Sequence, residues 1–129
     1  MILLYIAFGS AAGGVLRYLL GGVVQRAAGG TFPLGTLLIN ITGSFLLGFL
    51  YRYSADSAAI SAEMRAMLTI GLCGGYTTFS SFSYESVRLL EDGQVGRAML
   101  YVGLSVVLCL AGTALGIVAG KELIALRRG

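Results

Sequence analysis

Residues 98–120 read AMLYVGLSVVLCLAGTALGIVAG, an apolar run without a single Asp, Glu, Lys or Arg. A helix needs about 20 apolar residues to cross roughly 30 Å of hydrocarbon, and this run meets that length unaided. Working outward, residues 1–16, 27–51 and 66–84 are equally free of charge. The last two nearly or fully reach the same length, and the first does so if Arg17 is accepted inside the span. The pattern predicts an all-α integral membrane protein, a bundle of four transmembrane helices over about 2–26, 32–53, 63–91 and 96–124. The whole chain, 1–129, is then one membrane domain whose partner is the lipid bilayer. The first span is not expected to be a cleaved signal peptide, because no basic stretch precedes it and it is too long.

Composition agrees. The 129 residues are 57% hydrophobic and 12% charged, against about 45–50% apolar and about 25% charged in a soluble domain. Mean hydropathy is +0.86. The net charge of +3 is small and its basic residues are scattered, so nucleic acid is not an expected partner. There is no histidine, which removes imidazole acid–base chemistry and imidazole metal ligation. No nucleophile–base pair can be assembled, and an enzyme is not expected. Cys73 and Cys109 sit inside apolar runs without CxxC spacing and read as inert packing thiols.

The connections are short. Pro33 stands near the start of the second span, where its missing N–H costs little. Asp56, Ser57 and Ser61 offer caps around the second connection, and Asp92-Gly93 builds the third. Four spans put both termini on one side. Arg52, Arg65, Lys121, Arg127 and Arg128 fall on that side and Arg26, Arg88 and Arg97 on the other. This weak bias leaves two readings under the positive-inside rule: cytoplasmic termini, or insertion in both directions.

Small and polar residues recur at four-residue steps, which stack on one helix face. Gly9, Gly13, Arg17 and Gly21 form one ridge and Gly112, Gly116 and Gly120 another, in a chain with 20 glycines. Such ridges serve close helix packing, within one subunit or between subunits. Thr36, Asn40, Ser44 and Gly48 form a polar stripe on the second span; Tyr101, Ser105, Cys109 and Thr113 form one on the fourth. An amide as deep as Asn40 needs partners. It either ties the bundle together or, with the facing hydroxyls, lines a path. Amides and hydroxyls donate hydrogen bonds without carrying charge, which suits a small hydrated anion that must also be released.

The third span contains Gly71-Leu-Cys-Gly-Gly-Tyr-Thr-Thr-Phe-Ser-Ser-Phe-Ser83, poor helix material with a break expected near 74–78. Unwound backbone at membrane depth must be buried or line a cavity, and its carbonyls can coordinate a cation. Phe79 and Phe82, three apart, share a face and are either core or a pair of electropositive ring edges. Arg17 is the one charge well inside a span; it either snorkels to the interface or is functional. Glu85 and Arg88, three apart at the exit of the third span, are expected to form an interfacial ion pair.

Three segments together, Gly14-Val-Leu-Arg-Tyr18, Gly35-Thr-Leu-Leu-Ile-Asn-Ile-Thr-Gly-Ser-Phe45 and the Gly71–Phe82 stretch, resemble the Fluc (CrcB) family of fluoride channels. Ser81 stands where many members have Thr, which keeps the hydroxyl. The resemblance implies an antiparallel, dual-topology homodimer with two fluoride pathways. It implies passive export of cytoplasmic fluoride across the inner membrane. It also implies a central structural Na+ at the dimer interface, held by the backbone carbonyls of Gly74 and Thr77. It implies pore roles for Asn40, Phe79 and Phe82, a continuing polar path through Thr36, Ser44, Tyr101 and Ser105, and an electropositive vestibule at Arg17. The residues themselves bear on two other functions. A proton-coupled exporter like the small multidrug-resistance transporters needs a carboxylate in the membrane centre, and none of the six acids is expected there. A non-transporting membrane subunit would leave the polar stripes unexplained.

Overall fold

The computed structural model describes residues 1–129 and is helical throughout, without strands. The elements are α1 (Ile2–Ala28), α2 (Leu34–Ala55), α3 (Ala62–Ala66), a π-helical stretch (Met67–Cys73), α4 (Gly74–Tyr76), α5 (Phe79–Glu91) and α6 (Val95–Arg128). Three helices, α1, α2 and α6, are long and apolar enough to cross a membrane. The segment between α2 and α6 holds no single helix of that kind.

The turns follow from local chemistry. Gly29 and Gly30 end α1 with φ of 67° and 70°, a conformation that other residues adopt at a cost. Pro33 precedes α2 and offers no side-chain cap. Gln25 of α1 supplies one instead: its Oε1 accepts from Gly35 N–H at 3.0 Å and its Nε2 donates to the Phe32 carbonyl at 3.1 Å. Ser61 caps α3 by accepting from Met64 N–H at 3.1 Å. Asp56 closes α2 in an ion pair with Arg52 at 3.1 Å. Gly93, at φ 76°, lets Gln94 N–H reach the Leu89 carbonyl at 2.8 Å and so closes α5.

Glycines decide the packing. A Cβ on Gly9 would meet Leu72 N at 2.9 Å, and one on Gly13 would meet Tyr76 N at 2.8 Å. From the other side, a Cβ on Gly71 would meet the Ile6 carbonyl at 2.7 Å and one on Gly75 the Ser10 carbonyl at 2.5 Å. Thus α1 and the π-helical stretch touch backbone to backbone. Likewise, Gly112, Gly116 and Gly120 of α6 lie against the backbone of α2 at Ile41, Phe45 and Phe49. Both ridges therefore pack within the subunit. The α2–α6 pair is the most extensive contact in the fold. A small core of Leu37, Leu89, Ala98 and Tyr101 is completed by Phe32 and Phe82. Outside it, large apolar side chains such as Leu3, Phe8, Tyr18, Met99 and Leu110 cover the outer faces of α1 and α6. Such a surface is expelled by water and fits hydrocarbon.

Candidate functional site

The chain leaves helical geometry at Thr77 (φ −81°, ψ 156°) and Thr78 (φ −149°, ψ 112°). The double glycine before them stays helical: Gly74 has φ −63° and ψ −40°. The two extended residues strip the surrounding carbonyls of their usual donors, and side chains from elsewhere take over. Asn40 Oδ1 accepts from Thr78 N–H at 2.8 Å, and Asn40 Nδ2 donates to the Thr78 carbonyl at 3.1 Å. Arg17 Nε donates to the Gly75 carbonyl at 3.1 Å. Thr78 then starts α5 as its cap, accepting from Ser81 N–H at 3.1 Å. Asn40 therefore does tie the bundle together, and Arg17 does not snorkel away from it.

A second polar knot lies beside the first. Thr36 Oγ1 donates to Glu85 Oε1 at 2.7 Å, and Tyr101 Oη donates to Glu85 Oε2 at 2.9 Å. The expected Glu85–Arg88 pair is absent. Arg88 reaches Asp92 instead, at 4.0 Å and half exposed. The reason is helical direction. Glu85 faces α2 and α6, where two hydroxyls fill both its oxygens, while Arg88 points outward at the exposed end of α5. Both hydroxyl hydrogens are spent on this carboxylate.

Two hollows flank the knot and share Thr78. The first, about 380 Å³, is lined by Arg17, Gln25, Thr36, Thr78, Ser81 and Glu85 among others. The second, about 370 Å³, is lined by Asn40, Ser44, Phe79, Phe82, Ser105 and Cys109 among others. Tyr101 lines neither; its ring is fully buried and packs against Phe82 at 5.3 Å and Phe32 at 5.7 Å. Phe82 is thus wedged between Tyr101 and Phe79, the latter at 5.4 Å. Phe79 is 77% exposed and stands at the rim. Ser44 lends its carbonyl to Thr113 Oγ1 at 3.3 Å. Ser105 Oγ is buried and has no hydrogen-bond partner. Cys109 departs from expectation: only Cys73 is buried, and Cys109 is partly open on the second hollow.

No cluster of three or more Cys, Asp or Glu side chains forms, so backbone oxygens are considered as cation ligands. Gly74 and Thr77 are suited to it. The N–H groups four residues on, at Thr78 and Ser81, are committed to Asn40 Oδ1 and Thr78 Oγ1. Gly74 lies at the surface with open space where a Cβ would be, and Thr77 borders the second hollow. Neutral carbonyls of this kind suit a hard cation.

The sequence does not single out Gln25 or the capping role of Thr78, and the spacing of Glu85 to Arg88 points to the wrong partner. Thr78 is a common capping residue, but nothing local shows that a helix starts there. Gln25 and Glu85 are legible only once the helices are packed.

An all-helical chain with three bilayer-length apolar helices falls in the class of small helical membrane proteins. The comparisons narrow this. Residues 4–117 match the family model described as CrcB-like protein, Camphor Resistance (CrcB), and the chain belongs to that family. A fluoride-specific ion channel FluC of Geobacter sulfurreducens is 50% identical over 121 residues, covering 94% of this chain and 98% of the relative. Relatives of the same name from Coxiella burnetii (45% over 124 residues, 95% and 100% covered) and Flavobacterium psychrophilum (44% over 119 residues, 92% and 96%) are similar throughout.

Proposed function

We propose that the chain is a fluoride-selective channel that lets cytoplasmic fluoride leave passively down its gradient. The observation that carries this reading is the pair of hollows that share Thr78, the second walled by Asn40, Ser44, Ser105, Phe79 and Phe82 among aliphatic side chains, the first by Thr36 and Ser81 beside Arg17 and Glu85. Fluoride holds water tightly, so a path must offer replacement donors without a charge that would trap the ion. Asn40 has one amide hydrogen left after binding Thr78. Ser105 has a free hydroxyl, and Phe79 and Phe82 offer electropositive edges between them. Thr36 extends the path at the first hollow, and Tyr101 backs it from the core through its bond to Glu85. Ser44 borders the ion on α2, and Arg17 supplies a positive potential at the first hollow. The relatives' shared name supports the choice of ion.

The assembly belongs to the same proposal. The segment 62–91 makes a fourth crossing, and two antiparallel copies insert with dual topology in the inner membrane, giving two pathways. The Gly74 and Thr77 carbonyls of each subunit hold one structural Na+ between them, which adds a fixed positive charge near the interruption. What supports this is the pair of carbonyls without their usual donors and the open surface at Gly74. The test is efflux from liposomes carrying the purified chain, read with a fluoride electrode beside a chloride electrode. Fluoride should leave and chloride should stay; no fluoride loss, or equal loss of both, overturns the reading.

A further inference from the structure

We propose that Cys109 belongs to the wall of the ion path and is a modification site for small water-borne electrophiles, which close the path when they occupy its thiol. The proposal rests on the channel reading and adds a residue to it. Two observations carry it. Cys109 borders the second hollow with Asn40, Ser44, Phe79 and Phe82, whereas Cys73 is 1% exposed. One turn before it on α6, Ser105 is 7% exposed, lines the same hollow and has no hydrogen-bond partner for its Oγ. A hydroxyl so deep and unpartnered is costly unless a polar guest, water or an ion, meets it there. The space beside the Cys109 thiol is therefore wet and reachable by water-soluble reagents that do not enter lipid.

The chemistry is disulfide exchange with an alkyl thiosulfonate. The Cys109 thiol gives its proton to water, and the thiolate attacks the sulfenyl sulfur. A protein S–S–R bond forms, the S–SO2 bond breaks, and methanesulfinate leaves with the electron pair. With 2-sulfonatoethyl methanethiosulfonate the attached group carries a fixed negative charge into the path. Repulsion between like charges at close range, in an effective dielectric of about 20, then lowers anion flux by about tenfold or more.

The experiment uses the reconstituted full chain, with reagent on both sides of the membrane. Fluoride efflux is read for each protein against its own untreated rate, and intact mass reports labelling. The wild type should gain one adduct and lose at least about tenfold in efflux, as should Cys73→Ser. Cys109→Ser should gain none and keep its own rate. A wild type that stays unlabelled overturns the wet position of the thiol. Labelling at Cys109 without loss of efflux overturns its place in the path. An untreated wild type that moves no fluoride overturns the channel reading itself, and with it the role in the path, while the mass measurement still decides whether the thiol is reachable.

Discussion

Asn40 grips Thr78 with both ends of its amide, accepting from the backbone N–H at 2.8 Å and donating to the carbonyl at 3.1 Å. One side chain on α2 thus supplies the acceptor that the Thr78 N–H loses where the chain unwinds, and adds a second donor to its carbonyl.

Replacing Asn40 separates the two roles. Asn40→Asp keeps an acceptor for Thr78 N–H but removes the donor and adds negative charge, and fluoride efflux should fall at least about tenfold while the protein still folds. Asn40→Leu leaves the Thr78 N–H unpaired, at about 1–3 kcal/mol, while its carbonyl keeps the first bond of α5. Thermal unfolding in detergent, followed by size-exclusion chromatography, should show the loss for Leu and much less for Asp.

The two phenylalanines differ in burial and should differ in consequence. Phe79 is 77% exposed, so Phe79→Ile should lower fluoride efflux sharply with the melting temperature nearly unchanged. Phe82 is wedged between two rings. Phe82→Ile should lower efflux and also cost about 0.5–1.5 kcal/mol for each lost ring contact. Unchanged efflux in both variants would remove the rings from the path.

The carboxylate of Glu85 is held by Tyr101, not by Arg88. Tyr101→Phe should cost about 1.5–3 kcal/mol, the range for a hydrogen bond to a charged group. Arg88→Ala should cost about 0–1 kcal/mol, as a half-exposed ion pair does. Equal effects in thermal unfolding would restore the pairing expected from spacing.

Glycine substitutions should sort by what faces them. Gly116→Ala drives a methyl into the Phe45 carbonyl and Phe49 N and should cost about 1–3 kcal/mol. Gly103 on the same helix faces open space, and Gly103→Ala should be neutral or stabilising by up to about 1 kcal/mol.

If Gly74 and Thr77 hold a structural cation as proposed, fluoride efflux should continue at an unchanged rate when Na+ is equal on both sides. A rate that follows the Na+ gradient would make the cation a transported partner.

The helical class and the approximate helix limits were legible because apolar runs and their charged borders are local signals. The expected limits of 32–53 and 96–124 lie close to Leu34–Ala55 and Val95–Arg128, though α6 continues past Lys121 to Arg128. The glycine ridges were legible as packing surfaces, but not what they pack on, since Gly13 meets Tyr76 across more than 60 residues of chain. The double glycine drew attention that belongs to the threonines after it: Gly74 stays helical and Thr77 does not. Glu85 was misread because a three-residue spacing to Arg88 says nothing about hydroxyls arriving from α2 and α6. Cys109 was misread because an apolar run does not reveal which of its faces looks onto a hollow.

The bond from Arg17 Nε to the Gly75 carbonyl gives the guanidinium a mooring. A loose arginine would swing toward any anion and clasp it through two N–H groups at once. Tied to the backbone through Nε, this one keeps its place, its terminal N–H groups still free, and its charge also acts through its field. At about 8 Å and an effective dielectric of about 20, that field amounts to roughly 2 kcal/mol. Glu85 lines the same hollow and opposes that field, so in the channel reading a full charge can stand beside the path without becoming its stopper.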